Sequence, residues 1–238
     1  MGINVRNNIV IDGLVLHLDA ANRMSYSSGS NTINNLSTGG SNPLIGSIQY
    51  SNNFGGSLIF ITSSITNITA SVTSLSDASN FSIEFTCLPY GSVHNTAVGA
   101  LVNIVNSQDL SNNNTIFVLY PFVSSDLFPN LNVYWNNTTR YNSTTGVAPV
   151  GRVSHYIVTN DGTNFIFYKE GTQVASFSST GLTLPSNATL YLGRWPGETT
   201  PFQRWNGENQ IFRIYNRALS SNEVTQNYNA LKSRFNLS

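Results

Sequence analysis

The stretch that most constrains the fold lies near the C-terminus, where an apolar run passes directly into a helix start. Ile211, Phe212, Ile214 and Tyr215 read as a buried strand. Ser220-Ser221-Asn222-Glu223 then offers Ser at a helix N-cap and Glu three residues on, the reciprocal capping box. Val224, Tyr228 and Leu231 follow at helical spacing, so this helix has one apolar stripe. The expectation is a last strand that runs into a small lid helix.

The rest of the chain reads as strands. Phe81, Ile83, Phe85 and Cys87 alternate with Ser82, Glu84 and Thr86, the period of two that puts one face in a core and the other outside. Further short runs are expected at Leu14–Leu18, Ser57–Ile61, Ala100–Val105, Thr115–Tyr120, Leu131–Trp135, Val153–Thr159, Phe165–Lys169, Gln173–Phe177, Leu190–Gly193 and Gln210–Tyr215. Asp161-Gly162 and Glu170-Gly171 separate three of them and predict a meander from His155 to Phe177. The polar stretch from Ser25 to Gly56 is expected to wander over one edge before the chain re-enters a sheet at Leu58. Many short antiparallel strands with few helices argue for two packed sheets.

The opening run Leu14-Val15-Leu16-His17-Leu18-Asp19-Ala20-Ala21-Asn22 and the closing strand with its lid helix resemble a laminin-G-like jelly roll of the concanavalin A type. Gly55-Gly56-Ser57-Leu58-Ile59-Phe60, Asn80-Phe81-Ser82-Ile83-Glu84-Phe85 and His155-Tyr156-Ile157-Val158-Thr159-Asn160-Asp161-Gly162-Thr163 follow in that family's order, so the resemblance spans nearly the whole chain. It implies an all-β, two-sheet antiparallel jelly-roll sandwich with a short C-terminal helix, and a pairing of first and last strands. It also implies a kinship with structural proteins of bacteriophages and other viruses. On this reading residues 13–231 form the domain, residues 1–12 an N-terminal extension and residues 232–238 a C-terminal tail. The motifs speak for fold and weakly for function, since one sandwich hosts lectins, hydrolases and architectural proteins.

Charge is where this composition departs from the ordinary: 9% of residues are charged and the net charge is +0, while Asn, Ser and Thr supply over a third of the chain. An average globular chain carries roughly 25% charged residues. An amide- and hydroxyl-rich surface pairs with neighbours without desolvating ions, which suits dense packing; the codon bias of an AT-rich genome would give the same composition. Neutrality removes the electrostatic footprint of a nucleic-acid or anionic-membrane binder. Met1 to Arg6 has neither the basic start nor the apolar core of a secretory signal, and no apolar run reaches the ~18 residues of a membrane span. Cys87, on the apolar side of its strand, reads as an inert buried thiol.

Catalysis is not expected. Sugar hydrolysis on such a sandwich needs paired carboxylates, and Glu84, Glu170, Glu198, Glu208 and Glu223 occur singly. A nucleophilic triad would need one of His17, His94 or His155; His155 is read as a structural imidazole, and His17 as facing the partner sheet's edge or a neighbouring chain. No zinc set is legible, and no cofactor is expected. Calcium could draw on Asp19, Asp77, Asp109 or Asp126, though no Asp-x-Asp pair occurs. The best candidate recognition surface is a Gly/Pro-rich loop carrying Arg194, Trp195, Phe202, Arg204 and Trp205, residue types enriched at binding hot spots and sugar platforms. The alternative is that its aromatics fold inward over the open end of the sandwich. Tyr134, Trp135 and Tyr141 carry the same ambiguity.

The sequence therefore leads to a non-enzymatic virion protein, made in the host cytoplasm, a capsid decoration or cement protein of a tailed phage. Its expected partners are other virion proteins and copies of itself, with no nucleic acid and no membrane. The alternative function is an adhesin of the tail, neck or baseplate that binds host-surface glycans.

Overall fold

Alternation along the strands sorts the side chains into layers. Phe81, Ile83, Phe85 and Cys87 are all fully buried, and they meet Tyr156, Val158, Phe165, Phe167, Phe212 and Ile214 in the main core. Aromatic pairs knit this layer: Phe85 stacks on Tyr156 with ring centroids 5.3 Å apart, and Phe81 meets Phe165 edge-on at 6.1 Å. The computed structural model describes residues 8–38, 42–46, 48–61, 66–90, 101–106, 115–122, 130–135, 139–142, 149–196 and 204–237.

In chain order the strands are β1 (Leu14–Asp19), β2 (Leu44–Ile45), β3 (Gln49–Ser51), β4 (Ser57–Phe60), β5 (Ile68–Ser71), β6 (Asn80–Pro89), β7 (Val102–Asn106), β8 (Thr115–Phe122), β9 (Asn130–Trp135), β10 (Thr139–Asn142), β11 (Ser154–Asp161), β12 (Asn164–Lys169), β13 (Thr172–Ser178), β14 (Ala188–Leu192) and β15 (Gly207–Tyr215), followed by helix α1 (Ser221–Phe235). One sheet runs β13-β12-β11-β6-β15-β4-β3, with β1 also on β15; the other runs β10-β9-β8-β7-β14-β5-β2. Every pairing is antiparallel, and the protein is the two-sheet jelly-roll sandwich with a C-terminal helix that the sequence led us to expect. First and last strands do pair, Leu16 with Ile214 and Leu18 with Phe212. The meander of β11, β12 and β13 turns at Glu170-Gly171, both at positive φ (50° and 78°), the geometry of a tight two-residue hairpin.

Four strands carry no clear signal in the sequence: β2, β3, β5 and β10. Three of them are edge or near-edge strands of two to four residues. The fourth, β5, offers only Ile68 and Ala70 to a core, too few to stand out among Thr and Ser.

The outer face of the larger sheet departs from expectation most. Ser82, Glu84 and Thr86 were expected outside, yet all three are fully buried. Helix α1 and the segment that leads into it cover this face, with Asn227 on Glu84 and the Arg217–Leu219 backbone on Ser82. The helix's apolar stripe closes two clusters: Val224 with Val10, Ile157, Tyr168, Tyr215 and Leu219, then Tyr228 and Leu231 with Val153, Ile211, Phe235 and Leu237. Val10, assigned to the N-terminal extension, and Phe235 and Leu237, at the C-terminal end, are thus buried. The helix begins at the anticipated capping box: Ser220 Oγ accepts from the Glu223 backbone N–H, and the Ser220 N–H donates to Glu223 Oε2 at 2.8 Å. Arg217 grips the same carboxylate at 2.6 and 3.0 Å.

Candidate functional site

Among the described residues, three places are candidate sites. The first lies under α1, where cross-strand register puts His17 opposite Arg213 and Arg213 opposite Glu84. Glu84 Oε1 accepts from Arg213 at 2.8 Å and contacts His155 Nε2 at 2.9 Å; Oε2 accepts from Asn227 at 2.8 Å and Tyr215 at 3.2 Å. Burial alone pushes the Glu84 carboxyl up, but the Arg213 guanidinium, followed by His155 and Tyr215, outweighs it and holds the group down at about 2. Asn227 also accepts the Val10 backbone N–H at 2.7 Å, so one helix residue ties the incoming chain to the sheet. The cluster is sealed from solvent, and its carboxylate has a donor on each side. It is structural, as read for His155. His17 does not face the other sheet: it lies on this outer face beside Arg213, where burial and then that cation push its pKa down to about 4.

The second place is the end of the sandwich that carries the predicted recognition loop. Arg194 and Arg204 form an antiparallel bridge that closes the loop between them. Gly193 makes the turn possible: at φ +87°, an added Cβ would fall 2.1 Å from the Phe60 ring. Trp205 is 3% exposed, and its ring packs against Gly207, where an added Cβ would lie 2.9 Å from Cζ2. It folds inward, and its Nε1 finds no partner among the described residues. Arg194, Trp195 and Arg204 are half-buried. Phe202 lies outside the described residues, as do Asp109 and Asp126. The Arg194 carbonyl accepts from Asn103 Nδ2 at 2.6 Å, which fixes the loop's base to β7.

The third place is a cavity of about 420 Å³ at the edge of the larger sheet, lined by Arg23, Tyr26, Ser27, Ser28, Tyr50 and Asn52 together with Ala20, Ala21 and Gly55. The chain leaving β1 builds one wall. Asp19 starts it: its carboxylate accepts from the Ala21 N–H at 3.0 Å and is gripped by both Arg234 nitrogens at 2.7 Å. Ser25 Oγ then bridges the Asp19 N–H and the Asn34 carbonyl, so the segment folds back on itself. The opposite wall comes from β3 and the turn into β4. There Gly56 permits a close approach, since a Cβ at that position would sit 2.6 Å from Ala21 Cα. Across the gap the rings of Tyr26 and Tyr50 meet with centroids 5.5 Å apart at 35°. Tyr26 is buried and Tyr50 half-buried, while Arg23, Ser27, Ser28 and Asn52 are exposed.

This cavity was not legible in the sequence. Its residues fall in the stretch expected to wander over an edge, and only the pairing of β3 with β4 brings Tyr50 to Tyr26. The nearest signal was two tyrosines in an otherwise polar run. Asp19, a candidate calcium ligand, is taken up by Arg234, and among the described residues no cluster of three or more His, Cys, Asp or Glu could hold a metal ion.

No curated protein matches the sequence. Solved structures do match the fold. Domain 4 of AbnA, an extracellular arabinanase from Geobacillus stearothermophilus solved with arabinotriose, superposes with a TM-score of 0.65 at 16% identity, over 92% of this chain and 100% of that one. The binding domain of Paraclostridial Mosquitocidal Protein 1 gives 0.65 at 16%, over 92% of this chain and 52% of that one. Trypanosoma rangeli sialidase with sialic acid gives 0.67 at 13%, and this chain corresponds to only 33% of that enzyme. At such identities the likeness speaks for the fold. The family description Laminin_G_3, the concanavalin A-like lectin/glucanases superfamily, matches over residues 62–225. With more than half its length matched and two antiparallel sheets capped by a C-terminal helix, the chain belongs to the concanavalin A-like lectin/glucanases superfamily.

Proposed function

We propose that this protein is a non-catalytic carbohydrate-binding domain whose site is the edge cavity. The observation that carries the reading is the composition of that cavity: two adjoining tyrosine rings beside hydroxyl, amide and guanidinium groups. A sugar ring has an apolar C–H face and a polar rim, and it is held by an aromatic surface with a few convergent hydrogen-bonding groups. The volume of about 420 Å³ falls in the usual range for small-ligand sites. No carboxylate lines it among the described residues, whereas glycoside hydrolysis uses two. That the arabinanase domain, of the same fold across its whole length, was solved with arabinotriose supports the choice of ligand class.

Glycan-array binding by the full chain tests this. Binding that is lost in Tyr50→Ala and weakened in Asn52→Ala, whose exposed side chain makes the variant safe to fold, is the expected result. Binding abolished instead by Trp195→Ala would move the site to the end loop, and no binding across the array would overturn the reading. A role on a virion, as decoration or adhesin, keeps one support, the neutral, amide-rich composition. It is tested separately by whether the protein stabilises a particle.

A further inference from the structure

We infer that the edge cavity selects an anionic sugar, one bearing a carboxylate or a sulfate ester, and that Arg23 is the residue that anchors the charge. The inference rests on the carbohydrate-binding reading and narrows it. Among the described residues Arg23 is the one charged side chain in the lining; Tyr26, Tyr50, Ser27, Ser28 and Asn52 are neutral. The nearest carboxylate along the chain, Asp19, has both oxygens occupied by Arg234 at 2.7 Å, so it leaves Arg23 unneutralised.

Four other arginines are held by carboxylates of this chain. Arg213 meets Glu84, Arg217 meets Glu223 and Asp12, Arg234 meets Asp19, and Arg152 approaches Glu170. Arg23 is exposed and forms no ion pair among the described residues. A guanidinium presents a planar fork of donors that matches carboxylate or sulfate oxygens two at a time. The neutral hydroxyls and the Asn52 amide remain for the sugar's own hydroxyls. An amino sugar is disfavoured at the same site, since its cation would face Arg23 with no acid in the lining.

Isothermal titration of the full chain against matched sugars tests this. The probes are tri-galacturonate with its carboxyl-reduced counterpart, sialyllactose with lactose, and a sulfated galactose trisaccharide with its desulfated form. At least one acidic member is expected to bind roughly tenfold more tightly than its uncharged partner, with the preference shrinking as salt rises. Arg23→Gln should bring the acidic and uncharged members of each pair to equal affinity, and Arg23→Lys should restore part of the difference. Which pair shows the preference identifies the acid group. Equal affinity within every pair, or a preference that survives Arg23→Gln, overturns the inference and leaves carbohydrate binding standing. Absence of binding to all six probes and to the array overturns both.

Discussion

Replacing Glu84 by Gln is the sharpest probe of what holds the lid helix down. The amide keeps the volume of the carboxyl but can accept at only one end. Its other end must present N–H groups either to Arg213 and His155 or to Asn227 and Tyr215, all of which donate to or contact the carboxylate at 2.8 to 3.2 Å. Arg213, with its side chain 3% exposed, is left as a buried cation without a counter-charge. Breaking one side of a buried pair costs about 3 to 5 kcal/mol. Linkage gives a similar size: a carboxyl held near 2 against its ordinary 4.5 corresponds to about 3 kcal/mol at neutral pH. Because the folded pKa is depressed, that stabilisation is full above pH 4.5 and is lost as pH falls toward 2. Urea unfolding at pH 7 should therefore show a loss of about 3 kcal/mol or more, and the gap between the two proteins should close on acidification through that window. If Glu84→Gln does not fold, the triple variant Glu84→Met, Arg213→Met, His155→Leu should recover most of the stability, since it removes the desolvation costs of those three groups together while Asn227 still donates to Tyr215 and Tyr215 to the Val10 carbonyl. A single-variant cost under about 1 kcal/mol, or a gap that stays constant with pH, refutes the account of a sealed ion cluster.

His17 should make stability fall between pH 6.5 and about 4, because the unfolded chain takes up a proton there that burial and Arg213 deny to the folded one; His17→Gln should flatten that limb in a pH series of urea melts. Ser220→Ala removes the side-chain acceptor of the capping box and should cost about 1 kcal/mol in the same assay. Cys87 is fully buried and its thiol pKa is pushed up by that burial, so a thiol reagent should react with it only as the protein unfolds; fast labelling of the native protein would contradict its placement.

Most of the larger sheet was legible because its strands carry their own evidence. In β6 the inward side chains are Phe, Ile, Phe and Cys, and a strand with that alternation has one stable orientation. The capping box announced the start of α1, since its two reciprocal hydrogen bonds are local, but not its end, which runs on to Phe235 inside the expected C-terminal tail. What the same alternation concealed was the fate of the polar face. Ser82, Glu84 and Thr86 have the pattern of a solvated row, and only the register that sets Arg213 opposite Glu84, with α1 laid across both, turns them into a buried set of satisfied partners. The edge cavity was hidden for a related reason. Tyr26 and Tyr50 are separated by a polar stretch with weak periodicity, and their meeting depends on two strands of three and four residues, β3 and β4. Trp205 was visible as a residue of interest, but whether it faces a ligand or the core is decided by Gly207, whose missing side chain makes room for the ring.

In a chain with so few charges, the way each one is used carries information. The buried row under α1 and the Asp19–Arg234 pair show charge consumed internally, where each ion's hydration is replaced by a fixed partner. The second of these pairs also reaches the cavity. Asp19 Oδ1 receives both the Ala21 N–H and an Arg234 nitrogen, so the last turn of α1 holds the segment from which Arg23 and Tyr26 project. The lid helix thus stabilises the outer face of one sheet and, through its Arg234, fixes one wall of the candidate site. Against that background Arg23 stands exposed at a tyrosine-lined opening with no ion pair among the described residues. Its charge has no counter-charge among the described residues, and this is why the ligand's charge, more than its ring chemistry, should decide what the cavity retains.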